Sequence, residues 1–151
     1  MTMTMTEPLV IERVLSAPVE KVFEFITQRD NLLKWWGPEG MTVPEETLDF
    51  TRTGPWHSVM MSAEGNRFKV SGEVTEVKAP NLVAFTWGWH DDKDQRGHET
   101  RVLFEVSPDG DGGTVFVLTH SGLTDEEAAA NHKRGWTSSL RKLEQFPDLQ
   151  S

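Results

Sequence analysis

Acid–base, metal and nucleophilic chemistry can first be sought at the five histidines, His57, His90, His98, His120 and His132. No two of them stand at the helical spacing that lets a pair of imidazoles grip one metal ion, and the chain has no cysteine to complete a thiolate site. His90 opens the polar run to Gly97, which reads as a solvated loop. His120 and His132 differ. His120 closes the alternating run Phe116, Leu118, His120, and His132 begins the helical stripe His132, Trp136, Leu140, Leu143. If those two runs face each other, the imidazoles meet in an apolar interior. There they can hold each other's neighbours by hydrogen bonds, orient a ligand, or act as general acid or base.

The remaining constellations are weaker. Asp109-Gly110-Asp111-Gly112-Gly113 begins like a calcium loop, but Thr114 to Leu118 supplies no carboxylate, so it reads as a hairpin turn. Glu73 and Glu76 sit three apart on a strand and project to opposite faces unless a bulge intervenes, which separates them as an acid and base. Ser121, Ser138 and Ser139 have no nucleophile elbow around them, and no glycine loop cradles phosphate. On spacing alone, no catalytic residue, metal site or cofactor is assigned.

Six tryptophans and no tyrosine make binding the stronger theme. They fall in four stretches: Trp35-Trp36, Trp56, Trp87 with Trp89, and Trp136. An indole is a large apolar body with one hydrogen-bond donor, so such rings either pack an aromatic core or line a pocket for a greasy ligand. Alternation puts Trp56, Met60, Phe85, Trp87, Phe104 and Leu118 on inward positions, facing Trp136 and Leu140 of the last helix. With Trp35, Trp36, His120 and His132 these form the expected ligand lining, with His120 as the orienting group. Gly135 sits inside that helix at a cost of roughly 1 kcal/mol relative to alanine. Tight packing of helix on sheet is the expected reason, and close approach of a ligand is the alternative.

These side chains need a scaffold that brings an early helical region, several strands and a late helix to one interior. Leu9 to Leu15 reads as a first strand. Ser16-Ala17-Pro18 stops it and opens a helix carrying Val19, Val22, Phe23 and Ile26 on one stripe. Asp30 is the expected cap of a second short helix through Trp35, ended by Gly37-Pro38. From residue 41 to 121 the period changes to two, giving six strands in succession. The first of them, Met41 to Phe50, carries Pro44 and suits an edge. Thr124 to Glu127 reads as a capping box opening the final helix, which Phe146-Pro147 leaves. The expectation is an α+β architecture with an antiparallel meander. Residues 9–146 make one domain, 1–8 a frayed lead-in and 147–151 a tail.

Composition sets limits on partners. The 24 acidic and 15 basic residues give a formal charge of −9, which repels phosphate backbones and anionic lipid surfaces, so neither nucleic acid nor membrane is an expected partner. Absence of cysteine and of a secretory pattern makes the cytoplasm the expected location. An edge strand around Pro44 needs covering, which leaves a homodimer open.

Three local strings, Trp35-Trp36-Gly37-Pro38, Thr119-His120-Ser121-Gly122 and Gly135-Trp136-Thr137-Ser138-Ser139-Leu140, stand in this order of elements. Together they resemble the activator-of-heat-shock-protein-90-ATPase-homologue-like family of the START-like (SRPBCC, Bet v 1-like) superfamily, over about Val10 to Leu143. The resemblance implies a helix-grip fold, a curved antiparallel sheet around a long C-terminal helix with two short helices closing one end. It implies a cavity between sheet and helix for a hydrophobic small molecule. The alternatives are a module acting on a chaperone or other protein partner, and a cyclase- or aromatase-like enzyme using a pocket histidine.

Overall fold

The computed structural model describes residues 7–146 and residue 149. Most of the expected lead-in and tail therefore lies outside the described residues. Strand β1 (Leu9–Leu15) buries Ile11 and Leu15 and turns Val10 and Val14 outward, the alternation its sequence carries. Helix α1 (Val19–Thr27) opens at Pro18, whose carbonyl accepts the backbone N–H groups of Lys21 and Val22. Its apolar stripe, Val22, Phe23 and Ile26, is buried as the spacing required.

Helix α2 (Arg29–Trp35) starts one residue after α1 ends. Its N-cap is Gln28, and the expected cap Asp30 lies within the first turn. With a single residue between the helices there is no room for a capping turn at position 30. Gly37, at φ +84°, then lets the chain turn away, since a left-handed backbone is open to glycine at no steric cost.

Six strands follow: β2 (Thr42–Glu46), β3 (Gly54–Met61), β4 (Arg67–Lys78), β5 (Leu82–His90), β6 (Arg96–Pro108) and β7 (Thr114–Ser121). Each pairs antiparallel with the next, and β1 returns to pair with β7, giving the order β1-β7-β6-β5-β4-β3-β2. Proline-containing β2 is an edge, as expected, and its register shifts between Thr42 and Glu45. It ends at Glu46, short of Phe50, yet Leu48 and Phe50 are buried from irregular backbone. Strand β5 reaches His90 and β6 begins at Arg96, so the expected polar loop shrinks to a turn over 91–95.

The final helix α3 (Glu126–Glu144) lies against the concave face. Its cap is Asp125, whose carboxylate accepts the Ala128 N–H at 2.7 Å, one residue later than the expected box at Thr124. Asp125 is extended and acidic, so it meets the free N–H groups better than a threonine one step earlier. Trp136, Leu140 and Leu143 are buried on one stripe. Beyond α3, Leu149 is fully buried and its carbonyl accepts the Ser16 and Ala17 N–H groups at 3.1 Å, so this part of the expected tail belongs to the core. The result is the helix-grip architecture: one curved seven-stranded sheet closed over α3, with α1 and α2 at one end. No helix among the described residues is long and apolar enough to cross a membrane.

Candidate ligand-binding site

Most of the aromatic interior is packed solid. Trp36 sits at the centre of edge-to-face contacts with Phe50, Trp56 and Trp136, at ring separations of 5.7, 5.7 and 6.1 Å. Phe85 packs on Phe50 at 4.5 Å and on Phe104 at 5.1 Å. These are the separations at which aromatic quadrupoles attract, and such pairs add about 0.5–1.5 kcal/mol each beyond area burial. Of the residues expected to line a ligand, Trp35, Trp56, Phe85, Phe104, Leu118, His120 and Leu140 lie in this packed region, all at most 2 % exposed.

The other five expected residues, Trp36, Met60, Trp87, His132 and Trp136, meet at the N-terminal half of α3, where the packing opens into a cleft of about 490 Å³. One jaw is Trp36-Gly37-Pro38, the floor is Met60, Trp87 and Trp89 with Phe68 at the rim, and the opposite jaw is α3 from Ala128 to Ser139. Sequence reasoning missed Trp89 and Phe68. Trp89 shares a face with Trp87 two residues before it, a signal that was available, whereas Phe68 is 42 % exposed and only the cleft explains its position. The Trp36–Gly40 jaw is tied to α3. Glu39 accepts Arg141 Nη1 at 2.7 Å and Ser138 Oγ at 3.1 Å, and its N–H donates to Ser138 Oγ at 2.8 Å. Lys142 Nζ donates to the Trp36 carbonyl, and burial holds this amine below the ordinary lysine range.

Gly135 overturns the packing expectation. A methyl group built on it would meet no atom of another element closer than Pro38 Cγ at 3.9 Å, an ordinary contact. The residue borders the cleft, so the missing side chain leaves space there rather than admitting a strand.

The two histidines do meet, with ring centres 4.8 Å apart, but each is occupied. The Trp136 indole N–H donates to His120 Nδ1 at 3.0 Å, which fixes that nitrogen as an acceptor and puts the ring proton on Nε2. Nε2 then donates to Thr100 Oγ1 at 2.7 Å, and the threonine hydroxyl donates to the Trp87 carbonyl at 3.2 Å. Burial, with the His132 ring beside it, pushes His120 down to about 3, so it is neutral at physiological pH. With both nitrogens used inside the protein, His120 has none left to orient a ligand in this arrangement. His132 accepts the Trp89 indole N–H at Nε2, 3.0 Å, and its Nδ1 lies 2.7 Å from the Ala128 carbonyl. No three metal-ligating side chains converge among the described residues.

Five of the six indole N–H groups have an acceptor. Trp35 donates to the Phe25 carbonyl, Trp36 to Ser58 Oγ, Trp56 to the Thr86 carbonyl, Trp89 to His132 and Trp136 to His120. The sixth, Trp87 Nε1, is buried with no partner among the described residues, although Trp87 is one of the residues that line the cleft. An unmet buried donor costs on the order of 1–3 kcal/mol, so this one stands out against five that are satisfied.

On the outer face of the sheet, Ser71 Oγ lies 2.6 Å from His90 Nε2, and His90 Nδ1 lies 2.8 Å from Asp94. The order of atoms imitates a serine hydrolase triad, but the surroundings do not. Ser71 is in a strand paired on both sides, away from any strand-to-helix elbow. Its hydroxyl also accepts from Arg96, and the exposed Asp94 is shared with Lys69 at 3.0 Å. The set closes the turn over 91–95.

The family model described as Activator of Hsp90 ATPase homolog 1-like protein matches residues 16–147. The crystal structure of the AHSA1 protein from Silicibacter pomeroyi is 51% identical, covers 91% of this chain and 95% of that one, and superposes with a TM-score of 0.87. Crystal structures of proteins from Chromobacterium violaceum (22% identity, 95% and 99% coverage, TM-score 0.82) and Mycobacterium smegmatis (19%, 93% and 95%, TM-score 0.75) share the fold. No similar protein was found among curated sequences. A helix-grip sheet closed over α3, the tryptophan strings on its concave side and a model match spanning nearly the whole chain converge on one assignment: the chain belongs to the Activator of Hsp90 ATPase homolog 1-like family.

Proposed function

We propose that this protein binds a hydrophobic small molecule in the cleft between the N-terminal half of α3 and the sheet. The observation that carries the reading is unfilled apolar space of about 490 Å³ bounded by four indoles, Trp36, Trp87, Trp89 and Trp136, with a glycine at 135 where the helix faces it. Volumes of ~300–1,000 Å³ with apolar walls and few polar groups are typical of small-molecule sites. A molecule burying roughly 300 Å² there gains ~7.5 kcal/mol at about 25 cal/mol per Å², before the cost of association is subtracted.

An enzyme using His120 has less support, because the imidazole is neutral, fully buried and bonded at both nitrogens. A protein-docking role also lacks a continuous apolar surface among the described residues. Among the described residues the exposed large apolar side chains Val10 and Val14 are on β1 and Phe68 is on β4, with three strands between them.

Titration with the neutral fluorophore N-phenyl-1-naphthylamine is the direct test. Saturable probe enhancement with matching quenching of tryptophan emission is expected. Unchanged emission of both up to the probe's solubility limit overturns the reading.

A further inference from the structure

We propose that the molecule the cleft takes is neutral, flat and aromatic, and that it carries a hydrogen-bond acceptor, such as a carbonyl oxygen, which receives the indole N–H of Trp87. This rests on the cleft-binding reading above and specifies its ligand. Three observations select the class.

The first is charge. None of the described residues lining the cleft is Asp, Glu, Lys or Arg. The nearby Glu39 and Arg141 are paired with each other, and Lys142 is turned onto the Trp36 carbonyl. A carboxylate or ammonium entering the cleft would lose its water and find no opposite charge, which opposes binding of ions. The second is shape. Trp87 meets Trp136 at 5.1 Å, Trp89 at 5.4 Å and Trp36 at 5.9 Å, so the wall presents indole faces and edges at several angles around one space. A flat ring can join such an array by the same offset and edge-to-face contacts the indoles make with one another.

The third is the unmatched proton. Trp87 is 5 % exposed and its Nε1 is the one buried side-chain nitrogen or oxygen without a partner among the described residues. Every neighbouring indole is anchored by a polar bond as well as by packing. The Trp87 ring is held by packing alone and its N–H is sealed from the open space, so a bound acceptor would reach it through a tilt of the ring that no hydrogen bond resists. The polarity of the request is specific. The N–H donates, so the ligand must accept, and a hydrocarbon of the same shape leaves the donor as costly as before.

The test uses an isosteric set: 2-isopropenylnaphthalene, 2-acetylnaphthalene, in which C=O replaces C=CH₂, and 2-naphthoate. Affinities are read by tryptophan quenching in the wild-type protein and in Trp87→Phe. The ketone is expected to bind roughly tenfold tighter than the hydrocarbon, the size of one hydrogen bond to an otherwise unmet donor. The naphthoate is expected to bind more weakly than both at neutral pH. In Trp87→Phe the ketone's advantage should vanish while the hydrocarbon still binds. Equal affinity of ketone and hydrocarbon in the wild type overturns the inference while leaving the binding reading intact. That comparison stands without the variant should Trp87→Phe fold poorly. An advantage kept in a folded Trp87→Phe overturns it too, as does tighter binding of the naphthoate. No binding by any of the three overturns the cleft reading itself.

Discussion

Replacing Gly135 with alanine should make the protein more stable. Gly135 lies in the interior of α3, nine residues after its first residue Glu126 and nine before its last, Glu144. Glycine there costs about 1 kcal/mol relative to alanine, because it leaves the unfolded chain more freedom to lose. That gain is cancelled in many helices by a clash of the new methyl. Here the nearest atom of another element is Pro38 Cγ at 3.9 Å, so nothing has to move. A stabilisation of ~0.5–1 kcal/mol should raise the melting temperature by roughly 1–4 °C for a domain of this size. Thermal and urea unfolding followed by circular dichroism measure both. Gly135→Phe extends the same construction: its ring has only the cleft to occupy, so probe binding should fall at least tenfold while the fold persists. A clear loss of stability in Gly135→Ala would mean that the helix does press on another element at that point, and the reasoning about the cleft wall would fail with it.

His120 gives a pH dependence of defined sign. The unfolded chain takes up a proton on this residue near pH ~6.5 and the folded one only near 3, so between those values the unfolded state holds more protons. Its contribution to stability is therefore complete above about pH 6.5 and declines as pH falls, by at most ~1.4 kcal/mol per pH unit. Urea melts of wild type and His120→Gln from neutral to mildly acidic pH should diverge in slope, and parallel slopes would contradict the assignment. At the start of α3, Asp125→Ala should cost about 1 kcal/mol through loss of the bond to the Ala128 N–H, with Thr124→Ala close to neutral. The reverse ranking in urea unfolding would restore the cap at Thr124.

The fold was readable because its signals are periodic and local. The stripe of α1, the alternation Thr100, Val102, Phe104, Val106 and the run Phe116, Leu118, His120 all became buried faces. Helix starts were displaced by one or two residues because a cap depends on backbone angles that sequence does not carry, as Asp125 against Thr124 shows. The site was legible only in part. Alternation identifies which side chains point inward, but not which of them meet another ring and which meet a gap. Trp56 and Trp87 share that pattern, yet Trp56 donates to the Thr86 carbonyl within the packed region while Trp87 borders the cleft without an acceptor. Gly135 was misread for the same reason. A helical glycine announces that something needs room, and only the neighbours say whether it is the protein or a guest.

The polar chain behind the cleft bears on where the proposed ligand would act. Trp136 is locked to His120, His120 to Thr100, and Thr100 to the backbone of Trp87, so one jaw of the cleft and the strand beneath it are bonded through the interior. Trp89 is locked to His132 on α3, and Trp36 to Ser58 on β3. Four rings around the opening therefore differ in one respect. Three of them would have to break a hydrogen bond in order to turn, and the fourth, Trp87, has its backbone carbonyl fixed and its indole proton unused. A ligand that rearranged Trp36, Trp89 or Trp136 would exchange one satisfied bond for another and gain little. On the proposed reading, a ligand that engaged Trp87 would satisfy a donor left without a partner among the described residues, so binding energy and selectivity would be gained at that ring.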